Sequence, residues 1–365
     1  MFGFASVSLL TRPLVQHLTT CIGGALAVGA AILLLPAARV HAQSEPADWE
    51  MTGLTAPSTH LFTPASGAFL AMTDAGLARS DDAGATWYSV PLPPSYSGQV
   101  VVDPNDQDRI YAGAWVTRDA GATWVPLGSW ANDPGAWVWP TPAAADPNLL
   151  YLGIRTGEPG TGHVSLARSR NAGASWETVL NLGPGDFRPG AGIAFTLLAT
   201  HPADPNLLFH SVTGFRGHGN QGTLRRSADQ GQTFERVLPG VGRYATSMVA
   251  GRGAAPGRLY VGMTSEDMSS AVLASDDAGL TWRQVATFDP GPTGSSIKAL
   301  ACDPSAPDRV WAAVDPGGVE ASDDGGQTWS TISPPDWTVS DVALGIDRAN
   351  LYAATSSGVF RLTLK

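Results

Sequence analysis

Residues 80–87 read Ser80-Asp81-Asp82-Ala83-Gly84-Ala85-Thr86-Trp87, and the same phrase returns five times. It recurs as Thr117-Arg118-Asp119-Ala120-Gly121-Ala122-Thr123-Trp124 and as Ser169-Arg170-Asn171-Ala172-Gly173-Ala174-Ser175-Trp176. Ser227-Ala228-Asp229-Gln230-Gly231-Gln232-Thr233-Phe234 follows. Ser275-Asp276-Asp277-Ala278-Gly279-Leu280-Thr281-Trp282 and Ser322-Asp323-Asp324-Gly325-Gly326-Gln327-Thr328-Trp329 complete the set. The closing aromatics stand 37, 52, 58, 48 and 47 residues apart, which marks a repeated supersecondary unit. Each part of the phrase suits a hairpin. Asp82, Asp119, Asn171, Asp229, Asp277 and Asp324 can accept backbone N–H groups in an Asx-type turn. Gly84, Gly121, Gly173, Gly231, Gly279 and Gly326 can take the positive φ such a turn needs. The hydroxyl residue closes the turn, and Trp87, Trp124, Trp176, Phe234, Trp282 and Trp329 open the next strand with apolar surface to bury. One or two carboxylates per turn make no oxygen cage, so no metal is expected there.

The flanking pieces supply three more strands per unit. A short strand precedes each turn, as at 76–79, 224–226 and 271–274. Before it comes a second, such as Ile110-Tyr111-Ala112-Gly113 or Leu259-Tyr260-Val261-Gly262. An Asp-Pro turn (Asp103-Pro104-Asn105, Asp146-Pro147-Asn148, Asp204-Pro205-Asn206) separates that strand from an innermost apolar one, as at 297–302. Four strands per unit make one propeller blade. Six turns mark six blades, and residues 339–346, 350–355 and 358–362 form three strands of a further blade that lacks a fourth. Asp48-Trp49-Glu50-Met51-Thr52 resembles the strand that follows a turn. The expectation is an all-β, seven-bladed β-propeller of four-stranded antiparallel blades, the last closed by the N-terminal strand. Closure removes the free sheet edges that invite aggregation.

These residues are those of the Asp-box or BNR repeat, and residues 48–365 resemble the Asp-box β-propellers. That group includes sialidases, xyloglucan-degrading glycosidases and sortilin-type receptors. The resemblance implies the propeller fold, with functional loops on the face opposite the boxes.

Composition agrees with such a chain. The 42 Gly and 28 Pro are about a fifth of the 365 residues, and only 15% are charged, which disfavours helical bundles. Net charge is −10, and only Lys298 and Lys365 stand beside the arginines, so no nucleic-acid partner is expected. Cys21-Ile22-Gly23 begins an apolar run to residue 35, broken by Pro36 and followed by Val40-His41-Ala42. This is the pattern of a secretory signal peptide over residues 1–42, with cleavage after Ala42 and a propeller over 43–365. The run is short for a bilayer span, so no membrane span is expected after cleavage. The mature chain then keeps one thiol, Cys302, read as a packing residue rather than a nucleophile. A monomer exported to an extracellular or periplasmic space is expected.

Candidate binding residues come from the unusual loops on the face opposite the boxes. Loop 128–139 holds Trp130, Asp133, Trp137 and Trp139, and loop 182–192 holds Asp186, Phe187 and Arg188. Loop 155–164 carries Glu158 and His163, and loop 213–223 carries Arg216, His218 and Asn220. Arg243 and Tyr244 follow, with Glu266 and Asp267 beyond. Trp115, Trp311 and Trp337 are the tryptophans with no box role, and they join Trp130, Trp137 and Trp139 as places to look for function. Aromatics mixed with Asp, Arg and Asn suit a glycan, a peptide or a protein segment. The histidines lack metal-site spacing, and no cofactor is expected.

Three classes of function follow from the resemblance. A sialidase would carry three carboxylate-binding arginines, a Tyr–Glu pair and an early Arg-Ile-Pro, and no Arg-Ile-Pro occurs here. Glu50, Glu177, Glu235 and Glu320 fall on or beside strands rather than in those loops. A xyloglucanase would pair two propellers around its carboxylates, and this length holds one. The photosystem-assembly type of Asp-box propeller resembles the chain less, because its strands follow a different pattern from Asp-Pro-x-x-x-Tyr-x-Gly. The expected function is an exported, non-catalytic propeller binding a glycan, peptide or protein on the loop-rich face. The alternative is a glycoside hydrolase, xyloglucanase-like or sialidase-like, with carboxylates on that face and no catalytic residue named.

Overall fold

The structure, a computed structural model, describes residues 42–43, 47–64, 67–157, 162–183, 195–212, 224–238, 243–250, 257–265, 269–288, 294–334 and 336–364. Seven antiparallel sheets follow one another along the chain. Blade one comprises Ser58–Phe62, Phe69–Thr73, Gly76–Ser80 and Tyr88–Val90. Blade two comprises Val100–Asp103, Asp106–Ala112, Trp115–Thr117 and Val125–Pro126; blade three, Trp137–Pro142, Leu150–Thr156, His163–Ser169 and Glu177–Leu182. Blade four is built from Phe195–Thr200, Leu208–Val212, Arg225–Ser227 and Glu235–Arg236. Arg243–Ala250, Leu259–Ser265, Ser270–Ser275 and Arg283–Phe288 form blade five. Blade six holds Ser296–Asp303, Ala306–Asp315, Gly318–Ser322 and Ser330–Thr331. Val339–Leu344, Asn350–Thr355 and Gly358–Thr363 begin blade seven, and Trp49–Met51 completes it. First strands of neighbouring blades lie against each other, so they form the inner wall of the ring.

The N-terminal closure is antiparallel and in register: Trp49 faces Leu362, Glu50 faces Arg361 and Met51 faces Phe360. Arg361 donates to Glu50 at 2.7 Å across the seam. One strand lies outside the sequence-based expectation. Ala42–Gln43 adds in parallel to the outer edge of blade six, opposite Ser330 and Thr331. The rest of the candidate leader lies outside the described residues. Among the described residues no helix is long and apolar enough to cross a membrane.

The core is a set of seven apolar layers, one between each pair of neighbouring blades. Each box aromatic packs into the layer shared with the preceding blade: Trp124 into one–two, Trp176 into two–three, Phe234 into three–four. Trp282 and Trp329 continue the series, and Trp87 serves the seven–one layer. Trp49 fills the one remaining place, between blades six and seven, where its ring lies 5.5 Å from that of Trp337. The sequence contains no seventh box because the N-terminal strand supplies its aromatic.

All six turns share one geometry. In the first, Asp82 accepts the Thr86 N–H at 2.8 Å and the Thr86 hydroxyl at 2.6 Å, while Ser80 Oγ accepts the Gly84 N–H at 2.8 Å. The two Thr86 donors, aided by the Ser80 hydroxyl, hold the Asp82 carboxyl down at about 2. Asp119 and Asp229 are held at about 2 by the same kinds of bonds. Two consecutive residues take positive φ, Ala83 at 56° and Gly84 at 90°. The first of these is Ala in four boxes, Gln230 in the fourth and Gly325 in the sixth.

That left-handed residue is also the point where blades are tied together. Its N–H donates to the turn between the first two strands of its own blade, as Ala172 does to Asn148 and Gln230 to Asn206. Its carbonyl accepts from the preceding blade: Arg118 reaches Ala172, Arg168 reaches Gln230, Arg226 reaches Ala278 and the Tyr352 hydroxyl reaches Ala83. Arg79 and Arg258 instead reach the carboxylates of Asp108 and Asp308 on the next blade.

Candidate functional site

The loop face carries a cleft of about 370 Å³ over blade two. Three stretches wall it: Ser95, Tyr96 and Ser97 from the one–two connection, Ala114 and Trp115 from blade two, and residues 130–134 from the two–three connection. The chain is pinned there by close backbone pairing. Val138 N–H donates to Ser97 and Gln99 N–H donates to Val138, with Gly98 bridged between them. A Cβ at Gly98 would meet the Val138 carbonyl oxygen at 1.9 Å, and its φ is 129°, so this approach requires glycine.

The cleft presents three aromatic rings with an amide and a carboxylate. Tyr96 and Trp115 are half-buried, and burial pushes the Tyr96 phenol up. Trp115 Nε1 is buried without a hydrogen-bond partner. Ser129–Asn132 is a single 3-10 turn that carries Trp130, whose ring meets Trp176 edge-on at 5.8 Å. Trp130 therefore both packs the two–three layer and lines the cleft. Asp133 is exposed and accepts the Gly135 N–H at 2.9 Å.

Of the other candidates, Trp137 begins the inner strand of blade three and is 40% exposed. Tyr244 stands at the loop-face end of the inner strand of blade five, half-buried, and Arg243 precedes it in that strand. Asp186, Arg188, Arg216, His218 and Asn220 lie outside the described residues, as do Glu158, Phe187, Glu266 and Asp267. The structure thus brings Trp130 and Asp133 into one cleft. Trp139, Trp311 and Trp337 serve packing instead: Trp139 stands 5.7 Å from Phe195, Trp311 is buried in the six–seven layer, and Trp337 stacks on Phe360 at 4.3 Å. Glu50, Glu177 and Glu235 are bound to Arg361, Arg168 and Arg226, and Glu320 accepts the Thr331 hydroxyl.

Tyr96 and Arg155 escaped the sequence reading, Tyr96 because its connection is short and Arg155 because the residue read as the start of loop 155–164 lies inside the second strand of blade three. Burial pushes the Cys302 thiol up to about 12, which leaves it unreactive. Among the described residues no group of three or more His, Cys, Asp or Glu could hold a metal ion.

A family model described as BNR/Asp-box repeat matches residues 320–331, the sixth box and its flanks. The chain is 26% identical to a xyloglucanase of Paenibacillus sp, over 66% of this chain and 27% of that protein. It is 25% identical to a xyloglucanase of Hypocrea jecorina, over 51% of this chain and 25% of that one. The chain therefore spans about a quarter of these curated relatives. Among solved structures, the GH74 xyloglucanase from Xanthomonas campestris superposes with a TM-score of 0.59 at 19% identity, covering 87% of this chain and 53% of that one. YCF48 bound to D1 peptide superposes with a TM-score of 0.54 at 15% identity, covering 89% and 98%. At these identities the structural likeness shows the fold. Six boxes in one geometry, the match over the sixth and the shared architecture make this chain a BNR/Asp-box repeat β-propeller.

Proposed function

We propose that the protein is an exported, xyloglucan-directed propeller of glycoside hydrolase type that engages its glycan in the blade-two cleft. The observation that carries this reading is an aromatic-walled cleft on the loop face of a chain whose curated relatives are xyloglucanases. Sugar rings present apolar faces that stack on Tyr96 and Trp115, and Asn132 and Asp133 offer hydrogen bonds to the hydroxyls. This favours the hydrolase side of the sequence reading over an undefined peptide or protein binder. Hydrolysis needs two carboxyl groups at a defined separation. Among the described residues lining the cleft, Asp133 is the single carboxylate. In this reading Asp133 serves as one member of the pair.

The test uses residues 43–365 with xyloglucan oligosaccharides, following binding by calorimetry and turnover by release of reducing ends. Wild type binds and turns over; Tyr96→Ala weakens binding about tenfold, the loss of one stacking contact. Asp133→Asn binds but does not turn over. Binding without any wild-type turnover overturns the hydrolase reading, and absence of binding overturns the ligand class.

A further inference from the structure

Arg155 is the penultimate residue of the second strand of blade three, near the loop face and directly opposite Trp137 in the antiparallel register. Cross-strand partners share one face of a sheet, so the guanidinium and the exposed indole stand side by side. Arg155 is half-buried, and its Nε is buried with no hydrogen-bond partner. Among the described residues no carboxylate lies within ion-pair distance of it, whereas Arg79, Arg168, Arg226 and Arg258 each hold one. Asp133, the carboxylate of the adjoining loop, caps its own turn at Gly135.

Beneath this pair runs an aromatic series. Trp137 lies 6.3 Å from Trp139, Trp139 lies 5.7 Å from Phe195, and Phe195 lies 6.0 Å from His210. His210 is buried with neither ring nitrogen hydrogen-bonded, and burial holds its pKa down at about 3, so it is neutral and does not compete for an anion. A partly desolvated, unpaired cation is destabilising unless something pairs with it. In a chain of net charge −10, Arg79, Arg168 and Arg226 each hold a carboxylate, whereas among the described residues Arg155 holds none.

We propose that Trp137 and Arg155 form a subsite for a carboxylate-bearing, uronic-acid sugar. The apolar face of the ring lies on the Trp137 indole. The carboxylate accepts two parallel hydrogen bonds from the Arg155 guanidinium, a geometry lysine cannot offer. The subsite adds acidic-saccharide recognition beyond the neutral glucan of the blade-two cleft. It rests on the preceding reading only in taking the ligand to be a sugar.

Calorimetry at low ionic strength with residues 43–365 tests it, using tetragalacturonate, its full methyl ester and inorganic phosphate. Tetragalacturonate binds, and the ester binds at least tenfold more weakly. Arg155→Gln loses at least tenfold in affinity for the acid with a melting temperature equal to or above wild type, because no ion pair is broken. Arg155→Lys recovers part of the loss. Equal binding of acid and ester, an Arg155→Gln variant that binds normally, or binding of phosphate without tetragalacturonate overturns the subsite. Loss of xyloglucan binding with tetragalacturonate binding intact overturns the earlier reading and leaves this one standing.

Discussion

Ala278 holds φ at 56°, a conformation that costs an L-residue with a Cβ about 1–2 kcal/mol relative to glycine's freedom there. The sixth box already has Gly325 in the same place. Ala278→Gly is therefore expected to stabilise the fold by about 0.5 kcal/mol after glycine's extra unfolded-state entropy is subtracted, read as a small rise in melting temperature. A fall in that temperature would show that the packing of the Ala278 Cβ on the four–five layer outweighs the relief of strain. The box carboxylates contribute to acid sensitivity. Asp82, Asp119 and Asp229 have folded pKa values near 2 against an ordinary 3.8, so their contribution is present above about pH 4 and is lost as pH falls toward 2. Asn171 accepts the Ser175 N–H and donates to the Ser175 hydroxyl, keeping the turn without titrating. Asp229→Asn with the turn intact should flatten the stability profile between pH 4 and 2, measured by denaturant melts at each pH. Asp341 behaves oppositely. It accepts the Leu61 N–H at 2.8 Å across the seven–one seam, and burial raises its carboxyl to about 7 despite that bond and one from Val342. Its contribution is complete below about pH 4 and declines as pH rises through 7, so Asp341→Asn should gain stability at pH 8 relative to wild type and gain little at pH 4. Equal effects at both pH values would exclude a raised carboxyl.

At the scale of the element, the box hairpin was readable because its parts answer to local chemistry. Asp, Gly, Thr and Trp each have one geometric task within eight residues, and the structure shows the Asp–Thr and Gly parts as read. Two things were not readable. The Ser80 hydroxyl contact to Gly84 and the left-handed Ala83 leave no signal beyond repetition. The arginine ties are long-range, since Arg226 and the Ala278 carbonyl lie 52 residues apart. Arg226 is 8% exposed and holds both that carbonyl and Glu235. Arg226→Ala is expected to cost about 2–4 kcal/mol, from charge-assisted bonds lost and a carbonyl left unpaired. Arg226→Lys should recover less than half, because one ammonium cannot span both acceptors. Denaturant unfolding separates these outcomes, and full recovery by lysine would reduce the tie to charge alone. The loop-face site was only partly readable for a related reason. Trp130 and Asp133 announced themselves by composition, but Trp139 and Trp311 have the same side chain and serve packing. Residue type alone does not separate a ring that lines a cleft from one that fills a layer.

For the whole molecule, the blade count was readable from six boxes and one orphan partial blade, and Trp49 fills the seventh aromatic place. Deleting residues 43–54 should open the seven–six layer and strip the outer strand from blade seven, lowering the melting temperature by at least 10 °C on the order expected for losing several kcal/mol. An unchanged melt would mean that the ring holds without its closing strand. The same closure sets an order of events. Arg361 and Glu50 are 311 residues apart, and Trp49 Nε1 donates to Ile332, 283 residues away. The closing strand is synthesised before the strand it pairs with. In an exported chain, the ring therefore cannot be completed while residues 358–363 are still on the other side of the membrane. For an exported chain, topology would hold ring closure back until residues 358–363 had crossed, so that translocation precedes the final step of folding.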